Sequence, residues 1–212
     1  MALVDIAKEK SNVDRTHGIK LLIEYLEEKK IDTVLDLFAG SGAFCSWLLY
    51  QLNTTLPGHF PDITHLELDK EIFNRLHDRF GRHRNNCINT NAYKFIEKKN
   101  QKYDLIFCDN GMWSHEYFNI IPNLKNIISK GWFVHNINCR PYGNFSNDSE
   151  WGKTRSNFYE IDDTSDCDPM DLLEKTGDKL KEHGFNIKYG TLFPRELYNG
   201  HVYLHSALWE LQ

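Results

Sequence analysis

Four residues in the first third of the chain are spaced so that they could hold a nucleotide-like ligand. Asp36, Gly40 and Gly42 lie between an apolar run and a helical pattern, and Glu67 ends the next apolar run, 25 positions after Gly42. Because glycine has no Cβ, the backbone can approach a ligand closely, and the N–H groups of a following helix favour a negative group. A carboxylate at Glu67 can accept hydrogen bonds from both hydroxyls of a ribose. Asp69 competes for this role, but its place before a helical pattern favours an N-cap.

The residues that follow the glycines argue against a dinucleotide. The dinucleotide fingerprint has a third glycine, which lets the helix pack closely beneath a pyrophosphate. Here Ala43, Phe44 and Cys45 follow Gly42 instead. The missing glycine favours a ligand without phosphates over NAD. A tight strand-to-helix turn that binds nothing is the alternative explanation of the same pattern.

Apolar strand patterns alternate with helical patterns along most of the chain. Strands are predicted at residues 33–37, 63–68, 87–89, 103–108, 132–137, 186–192 and 202–211, and helices at 18–28, 43–52, 70–80, 93–98, 115–128 and 171–183. This order predicts an α/β fold with a doubly wound, mostly parallel seven-stranded sheet, an antiparallel C-terminal hairpin strand, and helices on both faces. We find no internal repeat or linker, so residues 1–212 are expected to form a single domain. Residues 1–30 would form an N-terminal helical cap, and residues 138–168 an irregular insertion at the rim.

Several segments resemble the motifs of one enzyme family. Residues 34–44, VLDLFAGSGAF, resemble the first motif of the class I, Rossmann-like S-adenosylmethionine-dependent methyltransferases, in the Asp-x-Phe-Ala-Gly-x-Gly variant of several nucleic-acid N-methyltransferases. Residues 65–69 resemble the second motif, 90–96 the third, and 103–109 the fourth. The resemblance covers roughly residues 16–137, and the hairpin at 186–211 fits the family's last two strands.

The resemblance implies S-adenosylmethionine as the cofactor and suggests which residues would bind it. The acidic residue of the second motif holds the ribose, and the third motif contacts the adenine. Asn91 stands where aspartate is usual, and its amide can still hydrogen-bond the adenine. Arg15 precedes the first helix and could pair with the cofactor's carboxylate. The implied cofactor-binding residues are Arg15, Asp36, Phe38, Ala39, Gly40, Gly42, Glu67, Leu68, Asn91, Ala92 and Asp109.

The end of the fourth predicted strand departs from the family's nucleic-acid members. Those members have Asp or Asn, two prolines and an aromatic residue, whereas residues 109–113 read DNGMW. Asp109 remains the first candidate for a catalytic residue, because it could accept a hydrogen bond from the nucleophile or from the cofactor's amino group. Trp113 could stack on the substrate, and His115 could act as a general base near neutral pH. Capping, surface exposure and core packing are the alternatives for these three residues.

The chain after the fifth predicted strand begins at that strand's carboxyl end, and ligands bind at the carboxyl ends of parallel strands. It is therefore expected to belong to the same rim of the sheet. His135 and Asn136 are weaker candidates there. The stretch 138–168 mixes aromatic and basic residues, which could form a substrate lid or a disordered loop. They are Arg140, Tyr142, Trp151, Lys153, Arg155, Phe158 and Tyr159.

Charge and cysteine content narrow the partners. A formal net charge of -5 disfavours a dedicated nucleic-acid binder. The five cysteines are not spaced as a zinc or redox pair, so no metal is predicted, and their odd number favours reduced thiols in a cytoplasmic protein. No apolar run approaches the ~20 residues of a membrane span, so no membrane partner is expected.

The sequence therefore predicts a methyltransferase that acts on a small molecule or a protein side chain. Three alternatives stay open: an RNA or DNA methyltransferase, aminopropyl transfer on the same scaffold, and a non-catalytic module that binds the cofactor.

Overall fold

A computed structural model describes residues 21–22, 24–26, 29–40, 42, 60–81, 86–99, 101–108, 117–138, 150–162, 167–196 and 202–212. The predicted helix at 43–52 and most of the predicted N-terminal cap lie outside these residues. Residues 21, 22 and 24–26 are helical, which agrees with part of the first predicted helix.

Within the described residues, seven strands form one sheet. The strands are β1 (Thr33–Asp36), β2 (Asp62–Glu67), β3 (Asn86–Asn89), β4 (Leu105–Cys108), β5 (Gly131–Ile137), β6 (Ile187–Glu196) and β7 (Val202–Leu211). Their order is β3-β2-β1-β4-β5-β7-β6. The first five strands run parallel, while β7 pairs antiparallel with both β5 and β6. The predicted fold class, including the antiparallel C-terminal hairpin, is confirmed.

The central strands are short and apolar because both of their faces are covered. Alternate residues of β1 enter two different apolar layers: Leu35 belongs to one and Val34 to the other. Leu22 and Leu26 of the N-terminal helical segment pack in the layer of Val34. The sheet is therefore sandwiched between two helical layers, as a doubly wound fold requires.

Between residues 70 and 182 the structure describes six α-helices and one 3₁₀ turn. They are α1 (Lys70–Phe80), α2 (Ala92–Lys98), α3 (Tyr117–Ile120), a 3₁₀ turn (Ile121–Asn123), α4 (Leu124–Ile127), α5 (Glu150–Tyr159) and α6 (Pro169–Glu182). Asp69 caps α1, since its Oδ1 accepts from the N–H groups of Glu71 and Ile72, both at 2.9 Å. The predicted N-cap is confirmed. Among the described residues, no helix is long and apolar enough to cross a membrane.

The structure corrects three element predictions. Residues 150–159 form the helix α5 inside the stretch predicted to be irregular. The helix predicted at 115–128 is divided within 117–127 by the 3₁₀ turn that contains Pro122. Strand β6 continues past residue 192 and through Pro194, which the sheet tolerates because β6 is an edge strand and pairs with β7 alone.

The chain reverses its direction of winding between β1 and β4. From β1 it proceeds outward through β2 and β3, and it then returns to the other side of β1 to form β4 and β5. This reversal opens a crevice at the carboxyl ends of β1 and β4, where open α/β sheets bind their ligands. The segment with Gly40 and Gly42 follows β1 directly and lies at that crevice.

Candidate functional site

The turn after β1 is held by backbone hydrogen bonds to both neighbouring strands. Leu37 N–H donates to the carbonyl of Phe107 on β4 at 2.9 Å, and Ala39 N–H donates to the carbonyl of Leu66 on β2 at 3.0 Å. Gly42 N–H closes the turn onto the carbonyl of Ala39 at 2.8 Å. We call residues 37–42 the glycine loop. Its described backbone is fixed across three strand ends and is therefore pre-organised.

The two glycines of this loop have different structural reasons. Both have positive φ, +54° at Gly40 and +76° at Gly42, which side-chain-bearing residues rarely adopt. A Cβ on Gly42 would lie 2.3 Å from Cε2 of Phe80, so Gly42 allows α1 to pack against the loop. A Cβ on Gly40 would meet nothing within 4 Å in the described structure. Gly40 therefore leaves open space at the crevice, and Gly42 serves internal packing.

Glu67 joins the end of β2 to the glycine loop. Its Oε2 accepts from Gly40 N–H at 2.9 Å, and its Oε1 accepts from Asp69 N–H at 2.8 Å. A carboxylate has about four lone-pair positions, so two remain for other donors. Glu67 is half-buried, whereas the next residue, Leu68, is 64% exposed. The structure thus places a fixed carboxylate and an exposed apolar side chain next to the open space at Gly40.

Asp36 is buried beneath the loop rather than exposed in the crevice. Its carboxylate contacts Nδ1 of His65 at 3.2 Å, and the two side chains are 3% and 0% exposed. The imidazole of His65 also stacks on the ring of Phe80, with centroids 5.0 Å apart. Asp36 is therefore part of the support of the loop.

The third predicted motif forms the wall after β3. Asn91 caps α2, because its Oδ1 accepts from Lys94 N–H at 3.2 Å. The side chain of Ala92 is buried, so a ligand at this wall would meet its backbone. Phe38 of the glycine loop packs against Tyr93 with ring centroids 6.1 Å apart. The contact between Phe38 and Tyr93 therefore brings the predicted residues Asn91 and Ala92 next to the glycine loop.

Four predicted site residues lie outside the described part of the chain. These are Arg15, Asp109, Trp113 and His115. The last described residue of β4 is Cys108, which is buried. Their roles stay predictions.

The two weaker candidates on β5 are buried in the sheet, which corrects the expectation that they face the rim. His135 is fully buried, and its Nε2 accepts from Nε1 of Trp209 at 2.9 Å. Burial lowers the pKa of His135 from 6.5 to about 3, because desolvation penalises the charged ring. Asn136 is 1% exposed, and its Oδ1 accepts from Arg195 and from Ser206, both at 3.3 Å. These partners account for both residues without a ligand.

Part of the predicted substrate lid is core. The guanidinium of the buried Arg155 donates to the carbonyl of Asn138, and its centre lies 5.6 Å from the ring centroid of Tyr159. The ring of Phe158 stacks on that of Phe118 with centroids 4.1 Å apart. These three residues of α5 pack inward, which removes them from the lid. Arg140 and Tyr142 lie outside the described residues.

Two residues that support the site are not among the predicted ones. Asn89 ends β3, and its side-chain amide donates to the carbonyls of Glu67 at 2.8 Å and of Leu68 at 3.0 Å. It therefore fixes the segment that carries the carboxylate. His65 stands two residues before Glu67, and only the strand register, which pairs it with Asp36, identifies its role. A search of the described residues finds no group of three or more His, Cys, Asp or Glu placed to hold a metal ion.

Solved structures match this chain, although no protein-family model and no curated protein matches it. An S-adenosylmethionine-dependent methyltransferase from Aquifex aeolicus matches at a TM-score of 0.56 and 14% identity, over 100% of both chains. The N-methyltransferase NodS from Bradyrhizobium japonicum matches at 0.57 and 13% identity, over 96% of this chain and 98% of that chain. The methyltransferase domain of bacterial CtHen1 matches at 0.57 and 12% identity, over 92% of this chain and 97% of that chain.

At identities this low, the matches establish the fold alone. Together with the strand order, the matches show that the chain has the Rossmann-like fold of the class I S-adenosylmethionine-dependent methyltransferases, as the resemblance implied. The glycine loop and Glu67 stand at the crevice of that fold.

Proposed function

We propose that this protein is an S-adenosylmethionine-dependent methyltransferase that acts on a small molecule or a protein side chain. The observation that carries the proposal is the Glu67 carboxylate, held by Gly40 N–H and Asp69 N–H beside an open backbone turn. The methyltransferase fold supports it independently.

The residues present fit a nucleoside cofactor. Glu67 has lone pairs left for two ribose hydroxyls, and the open space at Gly40 allows the loop backbone to approach the ligand. Leu68 offers an exposed apolar surface of the kind that packs against a purine ring. Asn91 and Ala92 would bound the adenine from α2, and Arg15 would bind the carboxylate of the methionine part.

The protein's chemical task is placement. The cofactor supplies an activated methyl group, and the nucleophile must be held in line with it. In our proposal Asp109 follows β4 at the same crevice and accepts a hydrogen bond from the nucleophile or from the cofactor's amino group. Trp113 would stack on the substrate, and His115 would accept the proton that the nucleophile loses.

The net charge and the sequence of residues 109–113 support the proposed substrate class. The net charge of -5 gives no general attraction for phosphates, and the segment DNGMW lacks the two prolines of the amine-modifying nucleic-acid enzymes. The loop residues Phe38, Ala39 and Gly40 favour RNA or DNA as a second candidate substrate, because that variant of the motif occurs in nucleic-acid enzymes. We also propose a reducing, cytoplasmic setting, because the five cysteines are odd in number and are not spaced as a redox pair.

Substitution of Glu67 tests the cofactor assignment. Glu67→Gln replaces one carboxylate oxygen with a donor and removes the negative charge. Because hydrogen bonds to a charged group are lost, we expect affinity for S-adenosylmethionine to fall about 10- to 100-fold. Isothermal titration calorimetry measures this change. Glu71→Gln, on the exposed first turn of α1, is the matched control. Unchanged affinity in Glu67→Gln would contradict the ribose assignment.

A methyl-label transfer assay tests the activity. Labelled S-adenosylmethionine is incubated with separate small-molecule, protein and nucleic-acid fractions of host cells. We expect label in the small-molecule or protein fraction, and none with Asp109→Asn. Label in RNA or DNA would favour the second candidate substrate, while cofactor binding without transfer to any fraction would favour a non-catalytic module.

A further inference from the structure

His65 and Asp36 form a buried polar pair directly below the glycine loop. They are register partners on the adjacent parallel strands β2 and β1, so their side chains project from the same face of the sheet. The distance from Nδ1 of His65 to Oδ2 of Asp36 is 3.2 Å, and His65 is fully buried. Since a carboxylate oxygen can only accept, Nδ1 donates in this contact.

The face of the His65 ring packs against the helix α1. Its imidazole stacks on Phe80 at 5.0 Å with an interplanar angle of 29°. Phe80 in turn fills the space above Gly42, where a Cβ would lie only 2.3 Å from Cε2. One side chain therefore connects the acidic end of β1, the last turn of α1 and the second glycine of the loop.

Packing alone does not explain a histidine at this position. An imidazole that is completely removed from water loses hydration, and an aliphatic side chain could fill a strand interior without that cost. Within the described residues, Nε2 of His65 has no hydrogen-bond partner, so only the bond to Asp36 offsets the loss. The pair thus gives up some stability, which is common where a polar group serves a binding site.

We infer that His65 is a positioning residue of the cofactor site: its bond fixes the direction of the Asp36 carboxylate, and its ring fixes Phe80 against Gly42. The inference rests on the proposed function, because the loop it supports is the proposed cofactor loop. His65 itself touches neither cofactor nor substrate. Its effect should therefore appear in cofactor affinity and leave turnover at saturating cofactor unchanged.

Two substitutions separate the bond from the stacking. His65→Phe keeps an aromatic ring against Phe80 but removes the donor to Asp36. His65→Asn places an amide N–H near the position of Nδ1 and removes the ring. We expect His65→Phe to bind S-adenosylmethionine about tenfold more weakly. His65→Asn restores a donor to Asp36 but lacks the ring, so we expect it to recover only part of this loss. His183→Phe, at the exposed end of α6, is the control.

Calorimetry with S-adenosylmethionine, thermal unfolding and initial rates of methyl transfer provide the readouts. Weaker binding by His65→Phe, with partial recovery in His65→Asn and kcat within about twofold of the wild type, supports the inference. Equal affinity of His65→Phe and the wild type overturns it. A loss in His65→Phe of which His65→Asn recovers nothing also overturns it, and so does wild-type affinity in His65→Asn, which lacks the ring. If His65→Phe fails to fold, Phe80→Leu takes its place: wild-type affinity in that variant overturns the connection to Gly42. A wild-type protein that binds no S-adenosylmethionine refutes the proposed function and the inference together, whereas a wild type that binds, with variants that bind equally, refutes the inference alone.

Discussion

At the scale of single residues, the two glycines of the loop have different roles. Gly42 is needed by the protein itself, because Phe80 occupies the space that a side chain would take. The backbone of Gly40 also has positive φ, but a Cβ there would meet nothing within 4 Å in the described structure. Beyond its positive φ, Gly40 leaves the backbone uncovered, which is expected where a ligand approaches.

Alanine substitutions should distinguish these two roles. Gly42→Ala combines backbone strain with a collision against Phe80, so we expect it to lower the free energy of unfolding by about 2–4 kcal/mol. Gly40→Ala carries only the strain, about 1 kcal/mol, but its Cβ enters the proposed cofactor space. Urea unfolding and calorimetry with S-adenosylmethionine provide the two readouts. Gly40→Ala should lose about tenfold in affinity while it remains folded, and wild-type affinity in this variant would contradict the assignment.

His135 makes a pH-dependent contribution to stability. Its pKa is about 3 in the folded chain, against 6.5 when it is exposed, so between these pH values the unfolded chain binds more protons. Stability therefore falls as the pH is lowered through this window, by up to about 1.4 kcal/mol per pH unit, and is unaffected by this residue above pH ~7.

Replacement of His135 isolates this contribution. His135→Gln cannot titrate, and its amide oxygen can still accept from Trp209. We expect the variant to be less stable than the wild type at pH 8 because packing is lost, with a difference that narrows steadily from about pH 6.5 to pH 4. Urea unfolding at several pH values measures it, with His183→Gln as an exposed control. Parallel stability curves for variant and wild type would refute the shifted pKa.

At the scale of elements, hydrophobic pattern was sufficient wherever an element is buried along its length. All seven strands lie within a few residues of their predicted positions. The buried strands β1, β2, β4 and β5 lie within two, because their apolar residues leave few alternatives in a covered sheet. The N-cap of α1 follows from Asp69. Helix α6 begins at Pro169 after the N-cap Asp168, two residues before the predicted start.

The misses are elements whose form depends on partners distant in sequence. Helix α5 has a weak apolar periodicity and contains Gly152 in its first turns, so its sequence does not predict a helix. It is stabilised by Phe118, 40 positions away, against which Phe158 packs. The same limit applies to the site. Glu67 follows from spacing, whereas the contact between His65 and Asp36 exists only through the register of two strands.

Loss of the Phe158 ring should show how far α5 depends on this contact. Phe158→Ala removes a ring stacked on Phe118 at 4.1 Å from a half-buried position, and we expect a loss of about 2 kcal/mol in the free energy of unfolding. Asn157→Ala, on the exposed face of the same helix, should change stability by less than ~0.5 kcal/mol. Chemical denaturation measures both. A difference smaller than that of the control would show that α5 is held by its other contacts.

At the scale of the whole molecule, the order β3-β2-β1-β4-β5-β7-β6 places the glycine loop, Glu67 and the carboxyl end of β4 at one edge of the sheet. A ligand bound there contacts segments that are far apart in the sequence and stabilises them together. Such a ligand binds only the folded state, because the unfolded chain has no crevice. Ligand affinity and global stability are therefore linked.

This linkage predicts a thermal shift that discriminates between cofactors. S-adenosylmethionine at 100 times its dissociation constant should add about 2.7 kcal/mol to the free energy of unfolding. For a chain of 212 residues this corresponds to a rise in Tm of about 5–10 °C, since each kcal/mol is worth roughly 2–4 °C at this size. S-adenosylhomocysteine should give a similar rise, because it keeps the ribose that Glu67 would bind. NAD should give none, since the third glycine beneath a pyrophosphate is missing after Gly42. In Glu67→Gln the shift at the same cofactor concentration should shrink by several degrees, whereas in Glu71→Gln it should persist. A clear rise in Tm with NAD, and none with S-adenosylmethionine or S-adenosylhomocysteine, would contradict the cofactor assignment and show that this protein binds a different ligand.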